Sequence, residues 1–211
     1  MPAIHHRQQT EHRQSTAQKV KDMESLQAYL QRAHAATAAV FDRLRDDQWA
    51  LSTPCPAWDV RALANHMVGG YRLFVAASSG SDDDADFERD WLGNCPKEAY
   101  RTAAAEVLAA WRVPGVLDRP LSISIGVVPG RLGALIHLTE VVVHGIDLAV
   151  ATTQEEFIDE ELAQQLLNTM LELGTMERFR APEIFGPEKS APPTAPAHRH
   201  LMAFLGRPAD C

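Results

Sequence analysis

Residues Leu132-Gly133-Ala134-Leu135-Ile136-His137-Leu138-Thr139-Glu140-Val141-Val142-Val143-His144-Gly145-Ile146-Asp147-Leu148-Ala149-Val150-Ala151 decide the fold of this 211-residue chain. The stretch contains no Lys and no Arg, and its apolar residues fall on nearly every side of a helix. A helix apolar all round has to be buried, so other helices must surround it. A membrane span is the other reading of such a run, and four ionisable side chains (His137, Glu140, His144 and Asp147) argue against it. Glu140 sits at the centre, with His144 four residues later and His137 three residues earlier, a spacing that places all three on one stripe.

Outward from this segment the chain reads as further amphipathic helices. A first helix is predicted over 23–47 from Leu26, Leu30, Ala33, Thr37, Val40 and Leu44, which recur at steps of four and three. A second begins at the N-cap Asp59, with Trp58 expected to pack on Leu63, and carries the stripe Val60, Leu63, Met67, Tyr71 and Phe74. Residues 78–84 read as a solvated loop. Helices are predicted over 97–112, 132–151, 159–174 and 195–205, the fifth ending at Gly174. Between the third and fourth, Leu121, Ile123, Ile125 and Val127 alternate with smaller or polar residues, as a short extended segment does. Residues 1–21 are polar and aperiodic and read as a disordered extension, leaving 22–211 as one helical domain.

Composition narrows the function. Twenty Lys plus Arg face 28 Asp plus Glu, for a formal charge of -8, and no basic stripe interleaved with aromatics occurs, so nucleic acid is not an expected partner. The three cysteines, Cys55, Cys95 and Cys211, form no CxxC and are odd in number, which points to a reducing, cytoplasmic setting. Cys55 precedes a helix start, where a thiolate is favoured, but no histidine adjoins it and it reads as structural. No P-loop, GxGxxG, nucleophile elbow or HExxH is present.

A buried carboxylate needs a cation, a donor network or a proton. For Glu140 the helix supplies no Lys or Arg. A divalent metal would meet the need, with Glu140 and His144 as two ligands and His66, bordering the apolar stripe of the second helix, as the third. Spacing alone leaves a Glu–His hydrogen bond open as the other reading. His137 is a fourth ligand, a proton carrier or a ring bonded to a backbone carbonyl. Asp147 either orients a ligating imidazole or pairs with an Arg from elsewhere. Gly145 is expected to let a neighbouring helix come close.

These same residues carry a resemblance. Thr53-Pro54-Cys55, then Trp58-Asp59-Val60-Arg61-Ala62-Leu63 and His66, resembles the second-helix motif of the DinB/YfiT-like metal-binding superfamily. Within it, the likeness is to the actinobacterial branch related to the N-terminal domain of mycothiol-dependent maleylpyruvate isomerase. Glu140, Val143-His144-Gly145 and Asp147-Leu148-Ala149 resemble the second metal motif of that branch, and Phe185-Gly186-Pro187 with Leu201 to Arg207 resembles its ending. The likeness spans about residues 23–209. It implies an all-α, antiparallel up-down-down-up four-helix bundle with additional short helices. It also implies a divalent metal, zinc first and nickel or iron otherwise, on His66, Glu140 and His144.

Relatives of this kind use the metal to activate a low-molecular-weight thiol such as mycothiol for transfer to, or isomerisation of, a small electrophile. The isomerase has an added C-terminal domain with no counterpart before Cys211, so maleylpyruvate isomerisation itself is not expected. The expectation is therefore a small-molecule, metal- and thiol-dependent transferase or isomerase, with His137 as its proton carrier, Asp147 as the residue that orients a ligating imidazole, and a homodimer left open. A noncatalytic metal-binding or stress-response protein and a metal-dependent hydrolase are the rivals.

Overall fold

The computed structural model describes residues 25–56, 58–81, 86–174, 180 and 185–208. The expected extension over 1–21 lies outside them. Helix α1 occupies 25–43 of the described residues, followed by α2 (Val60–Ser79), α3 (Pro96–Ala110), α4 (Gly130–Ala151), α5 (Glu160–Leu173) and α6 (Ala197–Phe204). A hairpin of β1 (Pro120–Ile123) and β2 (Gly126–Pro129) pairs antiparallel, Leu121 opposite Val128, and completes an all-α bundle with one short extended piece.

Helix α4 is the centre of the packing. Every residue from His137 to Ala149 is buried except Glu140. By length and composition this helix could cross a membrane, but here most of it is buried among the other elements. The stripes read from sequence face it: Leu30, Ala33, Val40 and Phe41 of α1 and Val60, Leu63, Met67, Tyr71 and Phe74 of α2 are all core residues. Gly145 marks the close approach of α1 and α4. A Cβ there would lie 3.4 Å from Thr37 Cβ and closer still to Thr37 Oγ1.

Local signals account for the helix ends. Asp59 accepts from Ala62 N at 2.8 Å and Asp159 from Leu162 N at 3.0 Å, each satisfying a backbone donor that the first turn leaves unpaired. Most predicted ends shift by one or two residues, and two of the differences have a visible cause. Helix α1 stops at 43, not 47, because Arg45 turns extended (φ -97°, ψ 158°) and its N–H donates to Gln48 Oε1, starting a short 3-10 turn at Asp46–Gln48. Two acidic residues there would also oppose the negative end of the helix dipole. Helix α2 runs on through Ser78 and Ser79, which the sequence suggested as loop. Their serine hydroxyls donate back to Val75 O and Ala76 O, and Gly80 closes the helix with its N–H on Ala77 O.

Candidate metal centre

Three side chains meet where α2 crosses α4. Glu140 Oε2 lies 3.3 Å from His66 Nε2 and 3.2 Å from His144 Nε2. One ligand atom from each residue falls within 4.8 Å of the others. The set combines one anionic oxygen with two imidazole nitrogens, the donor chemistry that zinc and its neighbours take. His144 reaches Glu140 because helical Cα–Cβ bonds tilt toward the N-terminus, so a side chain covers the turn before its own. Glu140 keeps 38% of its side-chain area exposed, whereas His144 keeps 8%, so the cluster opens to solvent on the carboxylate side.

The rest of the shell fixes the two rings. His144 Nδ1 lies 3.1 Å from Asp147 Oδ2, which turns Nε2 toward Glu140. The Asp147 carboxylate also accepts from Arg207 Nε at 2.8 and 3.0 Å, the pairing with an Arg from elsewhere that the sequence left open. His66 is stacked between Trp58 and Phe87, at centroid distances of 4.3 and 5.3 Å. Trp58 also packs against the core that holds Leu63, and its ring meets His66 and, edge-on at 5.8 Å, His144. Thr53 holds the approach to Trp58, donating from Oγ1 to Trp58 O at 2.8 Å while accepting from Cys55 N. Asn65 secures the segment that carries Phe87, donating to Arg89 O at 2.9 Å and accepting from Trp91 N at 2.7 Å.

Charge follows from these contacts. Partial burial works against ionised Glu140, but hydrogen bonds with His144 and His66 outweigh it and hold the carboxyl below the usual range. Burial likewise disfavours an imidazolium at His144, yet the bonds to Asp147 and Glu140 prevail and raise it to about 9. Without a metal the centre is therefore a carboxylate sharing a proton-rich imidazole. A metal would replace that proton.

His137 does not join the cluster, which corrects the single stripe read from the sequence. Its ring leans toward the start of α4 and into the core, where its Nε2 lies 3.0 Å from His34 Nε2 among Tyr71, Phe74 and Trp111. Burial pushes His34 down to about 3 and His137 well below its ordinary value, so both rings are neutral near pH 7. Sequence reasoning missed Phe87, Arg207 and the His34 partnership. The aromatics of the polar 81–95 stretch were the one available signal for Phe87, and Arg207 appeared only within the resemblance.

Comparison with known proteins bears on the family and the fold. The sequence profile of the mycothiol maleylpyruvate isomerase N-terminal domain matches residues 30–149. An uncharacterized protein of Mycobacterium tuberculosis, from strains CDC 1551 / Oshkosh and ATCC 25618 / H37Rv, is 34% identical over 186 residues, 88% of this chain and 98% of that protein. The crystal structure of the mycothiol-dependent maleylpyruvate isomerase superposes with a TM-score of 0.51 at 15% identity, covering 68% of each chain. A histidine-to-alanine mutant of that enzyme superposes equally well at 18% identity. At these identities the superposition speaks for the fold.

Proposed function

This chain belongs to the mycothiol maleylpyruvate isomerase N-terminal domain family, and on that footing we propose that it is a divalent-metal enzyme. The substrate pair is a low-molecular-weight thiol of the mycothiol kind and a small electrophile, joined by transfer or rearranged by isomerisation. The observation that carries the reading is Glu140 Oε2 set between the Nε2 atoms of His66 and His144, with Asp147 on the far nitrogen of His144.

The residues present fit a metal. Two neutral imidazoles and one carboxylate would leave a divalent ion a net charge of +1, and three protein ligands leave positions free, as in catalytic rather than structural zinc sites. A bound zinc-type ion would supply acidity to a coordinated thiol, giving a thiolate nucleophile at neutral pH. The protein's own part is positional. Trp58 and Phe87 clamp the His66 ring, Asp147 fixes the tautomer of His144, and half-exposed Glu140 marks the side open to reactants.

A hydrolase is the weaker reading because it needs a base for water beside the metal. His137, the residue expected for that task, is fully buried against His34. Reduced thiols abound in the cytoplasm, which is the compartment this reading assigns.

The test begins with elemental analysis of protein purified without a His-tag or added metal. One zinc-type ion per chain is expected, lost in His66→Ala while circular dichroism stays helical. Unchanged stoichiometry in that variant would refute the ligand set, and metal lost only on removing residues 1–21 would move the site to the tail. The loaded protein is then offered small electrophiles with a low-molecular-weight thiol, beside esters and amides. Metal-dependent ester or amide cleavage indifferent to thiol would establish the hydrolase instead.

A further inference from the structure

We infer that Arg207, which lies outside the residues matched by the family profile, is a positioning residue of the metal centre, aiming the His144 imidazole through Asp147. The inference rests on the metal-binding reading above. It starts from a carboxylate that is 0% exposed, belonging to Asp147 on a helix that supplies no cation from Leu132 to Ala151. A lone buried charge is costly, and Arg207, itself 7% exposed, is the cation that answers it. Its Nε lies 2.8 Å from Oδ1 and 3.0 Å from Oδ2, so the carboxylate is held at both oxygens. That fixes the direction in which Oδ2 faces His144 Nδ1, and so the direction in which Nε2 faces Glu140.

The C-terminal segment is built to deliver this one side chain. Helix α6 ends with Gly206 N–H on Ala203 O and Arg207 N–H on Met202 O, the paired bonds of a Schellman motif. The motif requires a left-handed residue, and Gly206 has φ +79° with the Gly186 backbone pressed against it, leaving no room for a Cβ. Arg180 Nη1 ties the same corner together through Gly186 O and Phe204 O. At the other end of α6, His198 and Arg199 are bound to Glu155 and Glu160. Arg207 therefore emerges from a turn fixed on both sides and points into α4. A salt bridge that merely fastened the terminus would have no need to meet the buried carboxylate that stands behind His144 Nδ1.

The experiment compares zinc affinity, by competition with a chromophoric chelator, with the melting of the metal-free chain. In full-length Arg207→Met, zinc binding is expected to weaken about 10- to 100-fold, the usual cost of losing support behind a ligating histidine. Arg207→Lys should recover part of it. Because Arg207→Met strands a buried carboxylate, the charge-neutral pair Asp147→Asn with Arg207→Met is made alongside. The pair should bind zinc as weakly as Asp147→Asn alone and more weakly than wild type, since both residues act through one contact. In the zinc-loaded chain, long-range 1H–15N spectra should show the His144 Nδ1 signal shifted in both variants as its bond to Asp147 is disturbed. Wild-type zinc affinity in a folded Arg207→Met or in the pair overturns the inference and leaves Arg207 a structural tie. A wild-type chain that binds no zinc refutes the metal reading itself, and this inference with it.

Discussion

Gly145→Ala is the sharpest perturbation of the arrangement that sets the site. In an isolated helix interior the change should stabilise by about 1 kcal/mol, because glycine has the larger backbone entropy to lose. Here the new Cβ would stand 3.4 Å from Thr37 Cβ and 3.6 Å from Thr37 Cγ2, with Thr37 Oγ1 nearer than either. Thr37 is 2% exposed and β-branched, so its side chain has little freedom to turn aside. Overpacking of this kind costs roughly 1–3 kcal/mol, which more than cancels the helix gain. The net expectation is a loss of about 1 kcal/mol, lowering Tm by roughly 2–4 °C in a domain of this size. In a Thr37→Ala background the obstruction is gone, so the same Gly145→Ala change should raise Tm by a similar amount. That reversal is a coupling of about 2 kcal/mol, within the range of residues in direct contact. Since α4 must also shift away from α1 in the single variant, its zinc affinity should fall and should return with Thr37→Ala. Calorimetry on the four proteins decides the matter. Equal stabilisation by Gly145→Ala in both backgrounds would refute the close approach of α1 and α4 and the packing argument built on it.

Other expectations concern charge and capping. Zinc must displace a proton held at His144 with a pKa near 9, so zinc affinity should rise about tenfold per pH unit between 7 and 8.5. An affinity flat over that range would contradict the proton-rich ring. In the metal-free chain the sign is opposite: the stability from His144 is fully present below about 6.5, its unfolded value, and is lost as pH climbs through 9. His34 and His137 have folded pKa values below the unfolded one, so the stability they contribute is present above about 6.5 and lost as pH falls. Urea melts of the double variant His34→Phe, His137→Leu should decline less steeply from pH 6.5 to 4.5 than the wild type, and an unchanged slope would count against a neutral pair. Asp159→Ala removes both the cap on Leu162 N and the pairing with Arg32, and should lower Tm by about 2–6 °C, from a loss of roughly 1–1.5 kcal/mol. A change under 1 °C would show that neither contact stabilises α5.

Helices and their ends were legible in the sequence because the interactions that make them span only a few residues. Asp59 caps as its position indicates, Gly174 ends α5 in a left-handed turn, and the alternation of Leu121, Ile123 and Val127 becomes a hairpin. The all-round apolar character of 132–151 likewise determined that α4 is the buried helix, since no other placement hides that surface. Periodicity could also set His144 beside Glu140, four residues apart on one helix. What periodicity could not decide is which histidine completes the group. His137 shares the face of His144, but the tilt of its Cα–Cβ bond carries it away from Glu140 to His34. His66, 74 residues from Glu140, and Arg207, 60 residues from Asp147, reach the centre only through the packing of α2 and the turn after α6. Spacing along a chain measures distance only within one element. Between elements the distance is set by the core: the stripe of α2 could offer His66 as a candidate, but only the tertiary structure brought it to Glu140 and set Arg207 behind His144.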